Sequence, residues 1–72
     1  MQEQKQTNTS NAYYDLVSTL YHALETAQTS TAYIQDAQQS GNQELVSFFK
    51  QVQQDANRQA DQAKQLLTKV GS

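Results

Sequence analysis

Apolar residues recur with helical spacing in two long runs. In the first, Tyr13, Leu20, Ala27 and Ile34 stand seven apart. Leu16, Ala23, Ser30 and Ala37 form a second row, and Val17, Leu24, Thr31 and Gln38 a third. Three adjacent rows make a stripe wider than a two-stranded coiled-coil seam, and they predict a helix over about 11–39. Ser10 or Asn11 suits its N-cap, and Asp15 suits the positive end of its dipole. Ser40-Gly41-Asn42 breaks the pattern: Gly41 can adopt the left-handed conformation that ends a helix, and Asn42 can cap the next one. A second helix is predicted over about 43–70. Its stripe is Leu45, Phe49, Val52, Ala56, Gln59, Ala63, Leu66 and Val70, flanked by Val46, Ala60 and Leu67. Glu44 lies in its first turn, and Lys64 and Lys69 lie toward its C-terminus, each complementing the dipole. Residues 1–10 carry no periodicity and read as a flexible tail.

A three-residue connection forces the two helices antiparallel. Folding at Gly41 brings together positions whose numbers sum to roughly 83. Ile34 then meets Phe49, Ala27 meets Ala56, Ala23 meets Ala60, and Leu20 meets Ala63. The fold class is therefore all-α, an antiparallel two-helix hairpin. Two rods touch along a single line, and so broad a stripe leaves Leu16, Val17, Leu24, Val46 and Leu67 partly uncovered in one hairpin. The expected assembly is a homodimer, two hairpins forming a four-helix bundle. Its core is expected to contain Leu16, Val17, Leu20, Leu24, Phe49, Val52, Gln59 and Leu66.

Composition narrows the picture. The chain lacks Pro, Cys and Trp, and has fourteen Gln against only 17% charged residues, so its outer faces are helix-forming but weakly charged. A net charge of −2 gives no electrostatic reason to expect nucleic acid or an anionic membrane. No segment has the roughly 18 successive apolar residues of a membrane span. The absence of cysteine excludes a thiolate metal site and fits a reducing compartment, here expected to be the cytoplasm. No Ser/His/Asp set, Gly-rich phosphate loop or basic stripe occurs, and the chain is not expected to be an enzyme.

The run Tyr33-Ile34-Gln35-Asp36-Ala37, then Ser40-Gly41-Asn42-Gln43-Glu44-Leu45, then Phe48-Phe49, Val52 and Ala60, resembles the helical hairpin of ferritin-like and rubrerythrin-like proteins. The resemblance covers about residues 13–67. It implies a four-helix bundle scaffold that, in those proteins, carries two metal ions on inward-facing Glu residues and Glu-x-x-His motifs. Here Ala56 and Gln59 stand where that motif's Glu and His would be, and Thr26 stands where the first-helix Glu would be. Glu25 is one position off, pointing about 100° away around the helix. The scaffold is expected without its di-metal centre, and no cofactor is expected.

Other residues have chemical potential. His22, the sole histidine, falls opposite the stripe and beside Glu25. A phosphoacceptor His on a bundle would sit in a His-x-Leu-Lys-Gly type run, but His22-Ala23-Leu24-Glu25-Thr26 lacks the Lys and Gly; an ordinary surface His is the simpler reading. Tyr14 and Tyr21 share one flank, with Tyr33 and Phe48 elsewhere. These aromatics either cover the bundle edge or form a surface for another protein. Gln59, among apolar neighbours, is expected to lie near Leu24 and to fix register. The functional expectation is a non-catalytic structural or interaction protein whose partner is a second copy of itself or another protein. The alternative is a ferritin-like metal-binding or redox protein with a non-standard site.

Overall fold

A computed structural model describes residues 11–70; the tail assigned to 1–10 and the terminal Gly71-Ser72 lie outside them. Two helices make up the described chain: α1, Asn11–Gln39, and α2, Gln43–Val70.

The reversal between them is built from backbone and two side chains. Gly41 has φ +72°, the left-handed region open to glycine at little cost. That conformation lets Gly41 N–H donate to Gln38 O and Asn42 N–H to Ala37 O, the paired bonds of a Schellman ending. Ser40 Oγ donates to Ala37 O as well. Asn42 then opens α2: its carbonyl accepts from Val46 N–H, and its Oδ1 accepts from Leu45 N–H at 3.1 Å. A single residue thus closes one helix and caps the next.

The helices pack along one seam of alternating three- and four-residue steps. On α1 it runs Leu16, Leu20, Ala23, Ala27, Ser30, Ile34, Ala37. On α2 it runs Val46, Phe49, Gln53, Ala56, Ala60, Ala63, Leu67. Each of these side chains is buried or half-buried. Half are small, and these are among the most enclosed: Ala60 is 1% exposed and Ser30 0%. Ser30 fits because its hydroxyl donates to Thr26 O, 2.6 Å away in the preceding turn, so no polar group is stranded. Larger side chains fill the turn end, where Ile34, Ala37 and Val46 cluster with Phe49 against them.

This seam differs from the expected one on α2. Val46, expected to be partly uncovered, is buried, 4% exposed, and Leu67 is half-buried. Leu45, Gln59 and Leu66, placed within the stripe, are exposed. The alanine row Ala56, Ala60 and Ala63 permits the closest backbone approach, and α2 turns to present it. The row Leu45, Val52, Gln59, Leu66 moves to one side.

Candidate interaction surfaces

The seam divides the remaining surface into two broad faces. One carries the residues one position ahead of each seam row: Thr26 and Tyr33 on α1; Leu45, Val52, Gln59 and Leu66 on α2. The other carries those one position after: Val17, Leu24 and Thr31 on α1; Lys50, Asn57 and Lys64 on α2. Helical geometry sets these rows about 160° apart around each helix.

The first face holds two grooves. One, about 290 Å³, lies at mid-length between His22, Ala23 and Thr26 on α1 and Val52, Asp55, Ala56 and Gln59 on α2. The other, about 250 Å³, lies near the turn between Tyr33, Asp36, Ala37 and Ser40 on one side and Leu45 and Phe49 on the other. The Phe49 ring joins Tyr33 (centroids 5.5 Å apart) to Phe48 (5.4 Å), making a three-ring cluster at this end.

The second face is bridged by a polar contact that the periodicity did not single out. Gln53 Nε2 donates to Ala27 O at 2.8 Å and to Thr31 Oγ1 at 3.0 Å. Its signal in the sequence is position: Gln53 occupies a step of the seam between Phe49 and Ala56.

The sequence-derived surface residues separate accordingly. Tyr33 and Phe48 come together through Phe49. Tyr14 and Tyr21 lie on α1 away from them, both exposed, with Tyr21 edge-on to the His22 ring at 5.2 Å. Of the residues assigned to a dimer core, Leu16, Leu20, Phe49 and Val52 are half-buried within the hairpin. Val17 and Leu24 remain 40% and 45% exposed on the second face; Leu66, 41% exposed, and Gln59 lie on the first. Gln59 was expected near Leu24. It instead borders His22 and Thr26, because Leu24 lies across the seam.

His22 is solvent-facing, its Nδ1 3.6 Å from Glu25 Oε1. Asp55 accepts from Arg58 Nη1 at 2.9 Å and from Gln51 Nε2 at 2.9 Å. The Arg58 hydrogen bond, with the Gln51 bond next, holds its carboxyl below the usual carboxylate range.

Thr26, Ala56 and Gln59, which stand at the metal-ligand positions of the ferritin-like pattern, share the mid-length groove. A hydroxyl, a methyl and a neutral amide do not fit a di-metal centre of carboxylates and imidazoles. Among the described residues, no group of three or more His, Cys, Asp and Glu side chains is placed to hold a metal ion. Nor, among them, is any helix long and apolar enough to cross a membrane. No protein-family model, curated protein or solved structure matches the chain.

Proposed function

We propose that this chain is a non-catalytic structural or interaction protein that acts as a homodimer, two hairpins packed into a ferritin-like four-helix bundle. One observation carries the reading. The hairpin hides mainly alanine in its seam and leaves large apolar residues, including Tyr33, Leu45, Phe48 and Leu66, in solvent. Its extents, 50 × 23 × 15 Å, describe a flat rod. Its radius of gyration is 16.0 Å, against about 11 Å for a compact chain of this length. Stacking two such rods thickens the short dimension and gives the exposed side chains a shared interior. A cytoplasmic location accompanies this reading, since a cysteine-free bundle loses nothing in a reducing compartment.

Sedimentation equilibrium at micromolar concentration, with melting followed by circular dichroism across a dilution series, tests it. A dimer whose melting temperature rises with concentration is expected. A folded, concentration-independent monomer overturns it.

A second reading, a metal-binding protein with a non-standard site, draws support from His22 and Asp55 lining one groove. Stoichiometric iron, manganese or zinc in protein purified without chelator would favour it over the first.

A further inference from the structure

We propose that the second copy seats on the face carrying Tyr33, Leu45, Val52 and Leu66, and that it lies end for end. This rests on the self-association reading above and specifies its surface.

Three observations select this face, and a fourth shows that its area suffices. Both helices contribute apolar side chains to it, Tyr33 from α1 and the Leu45–Val52–Leu66 row from α2. On the opposite face the exposed aliphatics Val17 and Leu24 belong to α1 alone, while α2 presents Lys50, Asn57 and Lys64 and no large apolar side chain; the titratable groups of the proposed face, His22, Asp36 and Asp55, border its grooves. The seam is hydrogen-bonded across on that opposite side by Gln53, and, among the described residues, the two grooves noted above open on the proposed side. The area is also sufficient. A face measuring 50 × 23 Å presents on the order of 1,000 Å², against roughly 800 Å² per partner in a standard stable interface.

The bulk of the side chains selects the orientation. Tyr33, Phe48 and Phe49 crowd the turn end, and Leu66 stands near the open end, where Leu16, Leu20 and Leu67 line the seam beside it. Two copies with turns together would pile six rings at one pole. Reversing one copy sets the ring cluster of each against the Leu66 end of the other. Leu45, Val52, Gln59 and Leu66 are each seven apart, so the reversed row puts Leu66 of one copy against Leu45 of the other, and Val52 against Gln59. Leu66 then meets the groove between Tyr33, Leu45 and Phe49.

The test uses the full chain and two kinds of variant. Leu66→Lys should weaken the dimer by about 100-fold or more, because a lysine would be buried unpaired; Leu24→Lys should leave it intact. Loss with Leu24→Lys, or retention with Leu66→Lys, overturns the choice of face. Because the natural sequence has no cysteine, single-cysteine variants report orientation without interference and without disturbing the fold by charge. Oxidising a mixture of Leu45→Cys and Leu66→Cys should give the mixed disulfide. Disulfides only between like variants, Leu45→Cys with itself, overturn the end-for-end arrangement. A monomeric wild type is a separate outcome: it removes the self-association reading, and this one with it.

Discussion

Gln53 on α2 reaches across the seam to the backbone carbonyl of Ala27 on α1, 2.8 Å away, while its amide also meets Thr31 Oγ1. A glutamine in a row otherwise occupied by Val46, Ala60 and Leu67 gives the hairpin a polar cross-link at a fixed height. Sliding α2 by one turn would leave that amide half-buried without its acceptors. Gln53→Ala is therefore expected to lower stability by about 1 kcal/mol, the usual worth of an intramolecular hydrogen bond. Urea unfolding of matched samples checks it; an unchanged midpoint would mean that the bond does not hold register.

Close approach at mid-seam depends on small side chains. Ala60 is 1% exposed between the helices. Ala60→Leu should force the rods apart and cost roughly 1–3 kcal/mol, whereas Ala60→Ser should be tolerated better, since Ser30 already sits in the seam with its hydroxyl bonded to its own helix. Thermal melts of the two variants side by side distinguish steric crowding from polarity.

At the reversal, a Cβ on Gly41 would meet nothing within 4 Å, so any penalty is conformational. With φ at +72°, Gly41→Ala should cost about 1 kcal/mol, and Gly41→Asn less, because Asn tolerates the left-handed region. Asn42→Ala removes the Oδ1 acceptor of Leu45 N–H and should cost a similar amount. Denaturant midpoints for the three variants should rank Gly41→Asn above Gly41→Ala.

Acid should loosen a surface contact. Asp55 has its carboxyl pKa lowered in the folded chain, first by the hydrogen bond from Arg58 and then by that from Gln51. A folded pKa below the unfolded one means that its contribution is present in full above the ordinary carboxylate range. The contribution is lost as pH falls through the depressed value. The wild-type melting temperature should therefore drop slightly more than that of Asp55→Asn between about pH 7 and about pH 3. Parallel curves for the two proteins would show that the Arg58 contact adds nothing, the common outcome for exposed pairs.

Much of the architecture was legible. The helix–break–helix pattern around Gly41 and the Asn42 cap follow from local chemistry that acts within a few residues. The rotation of α2 about its axis was harder to read. Hydrophobicity favoured the row with Leu45, Val52 and Leu66, whereas packing chose the row with Val46, Ala60 and Leu67, because small residues allow two backbones to come close. Gln59 and Gln53 show the same thing. Both are glutamines among apolar neighbours, and only the choice of seam decides which one is enclosed. The candidate surface was legible in its ingredients, Tyr33, Phe48 and the leucines, but not in its division between two sides.

The alanine-lined seam bears on how the chain reaches its structure. Alanine has no side-chain rotamers to surrender, so zipping the hairpin shut freezes little beyond the backbone. Most contacts of the hairpin are local ones within a helix, and a single tight reversal joins the two helices, the topology associated with the fastest folding. For the dimer proposed above, the slow step should then be the meeting of two finished rods, and refolding should quicken as the solution is made more concentrated.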